Sequence, residues 1–162
     1  MPDLQRLRLD HATALLAFEL ENRAYFAATV SDRGDQYFRE FDARLSSLLE
    51  DQTAGLLHQH VLVDDDGSIV GRINLFDVAR TSATLGYRIA QRAAGKGLAT
   101  AAVNQICEIA ARDYGLTQLR AATSLTNAAS QTVLARAGFV RVDETTAVNG
   151  RPAIHFIRRL VV

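Results

Sequence analysis

Residues 82–124 place a helix pattern fenced by glycines between two strand patterns, and no other stretch restricts the fold as tightly. The run LATAAVNQICEIAARDYG has helical spacing, with Leu98, Ala102, Ile106 and Ile109 at buried positions and Gly115 as its stop. SATLGYRIA before it predicts a strand at about Thr84 to Ile89, and TQLRAAT after it predicts another. The connection AGKGLAT contains Lys96, the one lysine in a chain whose other cations are arginine. A strand, a glycine turn and a helix in that order aim free backbone N–H groups and the positive helix end at an anion.

The flanking segments fix the rest of the order. LQRLRL alternates, which predicts a first strand carrying Leu4, Leu7 and Leu9, with Asp10 able to cap the helix that follows. Ala14, Leu15, Phe18 and Phe26 predict one amphipathic helix from His11. Phe38, Phe41, Leu45, Leu48 and Leu49 predict a second from Asp35 to about Asp51. HQHVLVDDDGSIVGRINLFDV is two β-rich runs joined by an Asp-Gly-Ser turn, a hairpin signal. NAASQTVLARAG is a short helix capped by Asn127 and stopped by Gly138, and the last 24 residues form a hairpin around Asn149 and Gly150. The order βααβββαβαββ predicts an α+β fold with helices on both faces of a sheet, and excludes a repeat array or a helical bundle.

A chain of 162 residues is one domain's worth, so residues 1–162 are expected to form a single domain. Its 18 basic and 18 acidic residues balance, which gives no electrostatic reason to expect nucleic acid or an anionic membrane as partner. A lone Cys107 excludes an intrachain disulfide and a multi-cysteine zinc site, and reads as a small core residue. His58 and His60 share a strand face without a third ligand nearby in sequence, so no metal is expected. The first residues do not resemble a signal peptide and no apolar run approaches the roughly 20 residues of a membrane span, so a cytoplasmic protein is expected.

Spacing separates three kinds of phosphate-binding glycine loop. A P-loop requires Ser or Thr after its Gly-Lys, and Gly97 follows Lys96. A dinucleotide fingerprint requires a third glycine where Thr100 stands and an acidic residue on the next strand, which TQLRAAT lacks. The loop instead resembles that of the GNAT acetyltransferase superfamily, Gln/Arg-x-x-Gly-x-Gly/Ala, matched at Gly97 and Ala99, with Ala94 in place of Gln/Arg. NAASQTVLARAGF is similar to the family's Asn-x-x-Ser…Gly-Phe segment, through Asn127 and Ser130, and TLGYRIA to its fourth strand. FELENRAYF is similar to the Glu/Asp-Asn-Arg helix of the Rim-type ribosomal-protein-alanine N-acetyltransferases.

The resemblance implies the GNAT (acyl-CoA N-acyltransferase) fold, a mixed, mostly antiparallel sheet of about seven strands. It implies that acetyl-CoA is the co-substrate, clasped by Ala94, Gly95, Lys96, Gly97, Leu98, Ala99 and Thr100, with Tyr87 and Ile89 beside the thioester. Asn127 and Ser130 would flank the pantetheine arm, and Ser130 would meet the departing thiolate. An amine would attack the thioester directly in a ternary complex, with an oxyanion held by a backbone N–H near Arg88 or Ile89. Relatives often place a Glu where Thr84 stands, so Glu21, Glu144, His155 and a water relayed by backbone groups are the alternative bases, with Glu21 put forward. Glu21, Asn22, Arg23 and Tyr37 are expected at the acceptor, while Phe38 and Phe41 are expected in the core. The weak set of bases favours an acceptor of low pKa, such as a protein N-terminal α-amine at about 8, over a lysine at about 10.4. A small amine such as a polyamine, an amino acid derivative or an aminoglycoside is the alternative acceptor, and a non-catalytic acyl-CoA-binding module the alternative class. Neither nucleic acid nor membrane is an expected partner, and a monomer or homodimer is expected.

Overall fold

Each of the two apolar runs ahead of the first hairpin folds as two helices rather than one. α1 (Ala12–Glu21) and α2 (Arg23–Ala27) part at Asn22, and α3 (Asp35–Arg39) and α4 (Phe41–Thr53) part at Glu40. The two break residues share a backbone geometry, φ −105° and ψ 8° against φ −104° and ψ 17°. Asn22 makes its break with its own side chain, whose Nδ2 donates back to the Phe18 carbonyl at 2.9 Å and competes with the helix ladder. A single non-helical residue hardly shifts the apolar phase, so periodicity alone reads across it.

The structure is a computed structural model, and it describes residues 1–148 and 151–161, without the side chains of residues 143–151. The expected turn residues Asn149 and Gly150, and the Glu144 side chain, lie outside that description. Seven strands form one sheet: β1 (Asp3–Arg6), β2 (His58–Val63), β3 (Ile69–Ala79), β4 (Ser82–Ile89), β5 (Gln118–Ser124), β6 (Val140–Val148) and β7 (Arg151–Arg159). Their order is β1-β2-β3-β4-β5-β7-β6, with β4 and β5 parallel and β1/β2, β5/β7 and β6/β7 antiparallel. The sheet is thus mixed, as expected. The first strand is shorter than its alternation implies. Leu9 falls in a 3-10 turn (Leu9–His11) and is 64% exposed, and Asp10 sits inside that turn, paired with Arg8 at 3.1 Å, instead of capping a helix. The Arg8 amide donates to His11 Nδ1 at 3.0 Å and closes the turn in its place.

Contacts divide the chain into two compact units. The first comprises residues 1–74 and 87–96, around a core that includes Leu15, Phe18, Leu45, Leu62 and Ile73. The second comprises residues 75–86 and 97–162. It holds α5 (Leu98–Tyr114) and α6 (Ala128–Arg136) with β5, β6 and β7. α5 buries Ala102, Val103, Ile106, Cys107, Ala110 and Ala111, whereas Leu98 and Ile109 are only half-buried. Small residues let this helix lie close to its neighbours, and Cys107 is one of them, with burial pushing its thiol pKa up. Gly115, at φ 64°, ends α5 in the left-handed conformation. Among the described residues no helix is long and apolar enough to cross a membrane.

Candidate functional site

The run-up to α5 is built from backbone. β4 ends at Ile89, a short 3-10 turn (Gln91–Ala93) follows, and the chain then passes Ala94 in an extended conformation to Gly95 and Gly97 at φ 73° and 76°. Only glycine adopts such angles freely, and nothing lies within 4 Å of where a Cβ would stand at either position. The first bond within α5 runs from the Ala101 amide to the Gly97 carbonyl at 3.1 Å, so the amides of Leu98, Ala99 and Thr100 precede the hydrogen-bonded ladder. Open space above Gly97, next to three leading amides and a positive helix end, suits a pyrophosphate.

The loop also corrects the expected register. Read from Arg92, the segment Arg92-Ala93-Ala94-Gly95-Lys96-Gly97 meets Gln/Arg-x-x-Gly-x-Gly/Ala in full, and both glycine places fall on the two residues with positive φ. Ala94 therefore occupies a variable place, and the chain keeps the arginine it was expected to lack. Arg92 donates to Ser68 Oγ at 2.8 Å and lies 3.8 Å from Asp64, which ties this turn to the β2–β3 hairpin. Lys96 turns back to donate to the Arg92 carbonyl at 3.1 Å. The signal lies in the sequence, two residues upstream of Ala94.

In the second unit, Asn127 Oδ1 accepts the Ser130 amide at 3.1 Å and caps α6, and Ser130 is half-buried. The parallel pairing of β4 with β5 stops at Thr84–Arg120, although β4 runs on to Ile89 and β5 to Ser124. Past Arg120, β5 continues to pair with β7. Tyr87 and Ile89 lie on the part of β4 beyond that point, and both are half-buried.

The first unit contains an ion cluster that sequence reasoning missed. Glu19, on α1, is 1% exposed. Arg33 grips it as a fork, Nε to Oε2 at 2.7 Å and Nη2 to Oε1 at 3.2 Å. Arg72, on β3, donates to Oε1 at 3.2 Å, to the Tyr37 hydroxyl at 3.4 Å and to Gln59 Oε1 at 3.0 Å. Arg88, on β4, approaches Oε2 at 3.8 Å and lies over the Phe26 ring at 5.1 Å. Glu19, Phe26, Arg33, Phe38 and Arg88 line a small recess, together with Arg23, Ala27 and Asp32. Spacing could not reveal this cluster, because its members come from α1, the loop before α3, β3 and β4.

The expected acceptor residues divide. Arg23 lines the recess, but Asp32 and Asp35 bind it at 2.9 and 2.8 Å, and it lies over the Phe38 ring at 4.6 Å. Both ends of the Asn22 amide are engaged, Nδ2 with Phe18 and Oδ1 with the Gln91 amide at 3.0 Å, so Asn22 anchors the start of the turn that leads to the glycines. Tyr37 is 8% exposed, and Glu21 is exposed and does not line the recess. Phe38, expected in the core, is half-buried and lines the recess, whereas Phe41 is in the core. Thr84 and His155 are half-buried on β4 and β7.

The electrostatics decide what the cluster can do. Burial pulls the Glu19 carboxyl upward, but the Arg33 hydrogen bonds and the charges of Arg33, Arg72 and Arg88 outweigh it and hold the pKa below the ordinary value. Glu19 is consequently a poor proton acceptor near neutrality. Burial, with Arg33 beside it, pulls the Arg88 pKa down. Burial, with Arg6 and His58 nearby, lowers His60 to about 4. His58 Nδ1 lies 3.2 Å from Arg6 Nη1, and a cation there opposes a bound metal ion. Among the described residues no group of three or more His, Cys, Asp or Glu side chains is placed to hold a metal.

Comparison with known proteins agrees with this geometry. The model of the acetyltransferase (GNAT) domain family matches residues 3–140. The chain is 27% identical over 145 residues to the probable N-acetyltransferase YjcK of Bacillus subtilis, covering 82% of this chain and 77% of that protein. Its fold is similar to that of the ribosomal-protein-S5-alanine acetyltransferase of Vibrio fischeri, with a TM-score of 0.89 and 23% identity over 97% of this chain and 92% of the other. The spermidine N-acetyltransferase of Vibrio cholerae, solved with CoA and spermine, is also similar, with a TM-score of 0.79 and 17% identity over 98% and 95% of the two chains.

Proposed function

Because the chain belongs to the GNAT acetyltransferase domain family, and is an N-acetyltransferase of that type, we propose that it acetylates an amine of low pKa, a protein N-terminal α-amine of the Rim type. We also propose that residues 1–162 work as one catalytic domain, in the cytoplasm, as a monomer or homodimer. Acetyl-CoA is the donor in this reading, with its pyrophosphate on Gly95, Gly97 and the leading amides of α5. The acceptor nitrogen attacks the thioester carbonyl carbon, the carbon–sulfur bond breaks, and the proton lost by nitrogen ends on the departing sulfur. A backbone N–H near Arg88 or Ile89 takes the oxyanion, and Ser130 hydrogen-bonds the sulfur.

The observation that carries the choice of acceptor is the charge of the cluster: Arg33, Arg72 and Arg88 face the single carboxylate of Glu19. Excess positive charge disfavours a bound ammonium and so lowers an incoming amine's pKa. An α-amine at about 8 then attacks as the neutral base without a dedicated catalytic base. The same charge repels a polyamine, which carries several ammonium groups, and this separates the reading from the spermidine enzyme despite the shared fold.

Steady-state transfer from acetyl-CoA to peptides beginning with Ala or Ser, measured against spermidine, tests the reading. The peptides are expected to win in kcat/KM by at least tenfold, and a preference for spermidine would refute it. Acetyl-CoA binding without turnover of any amine would instead mark a binding module. Ser130→Ala is expected to cut kcat by about fivefold, the value of one ordinary hydrogen bond, with unchanged thermal stability. Full activity in that variant removes Ser130 from the reaction.

A further inference from the structure

We propose that the recess beside Arg88 is an anion subsite, which binds a carboxylate carried by the same molecule as the acceptor amine. The inference rests on the acetyltransferase reading and names a chemical class of acceptor within it. Arg88 is the one arginine of the cluster whose donors are unspent. Arg33 forks onto Glu19, and Arg72 is divided among Glu19, Tyr37 and Gln59. Arg23, at the outer side, is held by Asp32 and Asp35. Arg88 makes no hydrogen bond among the described residues, and Glu19 Oε2, at 3.8 Å, is beyond hydrogen-bond reach.

Its side chain is nonetheless 23% exposed, so it has lost much of its water. Its Cζ lies over the Phe26 ring at 5.1 Å, and both residues line the recess. A planar fork without hydrogen-bond partners, in a cluster of three cations and one anion, matches a carboxylate in shape and sign. The position of Arg88 on β4, between Tyr87 and Ile89, puts the subsite on the strand expected to carry the thioester. An acidic side chain near a peptide N-terminus and a free terminal carboxylate are two sources of the same group.

Three ligands separate these sources: Ala-Glu amide, Ala-Gln amide and Ala-Gln with a free carboxylate. Their affinities are measured with saturating CoA, a dead-end complex that needs no turnover, for the wild type, Arg88→Gln and Arg88→Lys. One or both carboxylate ligands are expected to bind at least fivefold more tightly than Ala-Gln amide. That preference should vanish in Arg88→Gln, persist in part in Arg88→Lys and weaken with salt. Equal affinities in the wild type, or a preference that survives in Arg88→Gln, would overturn the subsite. Circular dichroism melts check folding, and if Arg88→Gln does not fold, the wild-type preference and its response in Arg88→Lys decide. Acetyl transfer with equal affinities sinks the subsite alone. A carboxylate preference without transfer to any ligand sinks the acetyltransferase reading of the acceptor and leaves the subsite standing.

Discussion

The glycine loop and the arginine cluster both gather N–H donors, yet one is made of backbone and the other of side chains. In the loop the donors are the amides of Leu98, Ala99 and Thr100, oriented by a helix whose stability comes from the packing of its apolar face elsewhere. In the cluster the donors belong to Arg33, Arg72 and Arg88, each of which had to leave water and is compensated by one carboxylate. A backbone site thus tolerates changes in its side chains provided the chain can take φ near +75°. A side-chain site depends on each member.

The sharpest way to break this contrast is to remove the shared carboxylate. Glu19→Ala leaves three arginines facing one another around a buried void, and deleting one partner of a buried ion pair costs about 3–5 kcal/mol. Urea unfolding should register a loss of that order, and a loss below about 1 kcal/mol would mean the cluster is solvated. The pH dependence has a matching sign. The Glu19 pKa is depressed in the fold, so its contribution is present above the unfolded value near 4.5 and is lost as pH falls through the folded one.

His60, on β2 beside Gln59, acts at higher pH. Burial lowers it from 6.5 to about 4, so as pH falls from 6.5 the unfolded chain takes up a proton that the folded chain refuses. Stability should decline by roughly 3 kcal/mol between pH 6.5 and 4 from this group alone. His60→Asn should flatten that part of the unfolding profile and leave the steeper acid limb to Glu19. An unchanged slope in the variant would assign the decline to another group.

The loop answers to a different substitution. Gly97→Asp puts a carboxylate at the head of α5, in the proposed pyrophosphate site, and should weaken coenzyme A binding at least a hundredfold, or about 2.7 kcal/mol. Gly97→Asn has nearly the same shape and similar tolerance of the left-handed conformation, without the charge. If the two variants lose affinity equally, backbone strain and not electrostatics accounts for the effect. Isothermal titration with coenzyme A distinguishes these outcomes.

The same contrast explains what the sequence discloses. Glycine spacing, a strand before and a helix after are local, so the loop, α5 and the mixed sheet order are legible in sequence, even though the motif begins at Arg92 and not at Ala94. The breaks at Asn22 and Glu40 were hidden because one residue barely disturbs helical phase. Glu19 looked like an ordinary helix residue, since its three partners come from other elements, 14 to 69 residues away. Asn22 was legible as special but not for its reason. Its environment, the Phe18 carbonyl on one side and the Gln91 amide on the other, exists only after folding.

Lys96 gives the smallest effect and the finest test of the backbone half of the comparison. As the one lysine in the chain, set between two glycines, it invites the role of phosphate ligand. Its Nζ instead donates to the Arg92 carbonyl in the turn just ahead, and the residue is exposed. A solvated cation at the rim contributes a screened attraction of about 0.5 kcal/mol, so Lys96→Ala should change the coenzyme A dissociation constant by less than about threefold at physiological salt. Lowering the ionic strength should widen the gap between variant and wild type, because screening weakens. A tenfold loss that persists in high salt would mean that Lys96 releases Arg92 and grips the phosphate directly, and the loop would then depend on a side chain as the arginine cluster does.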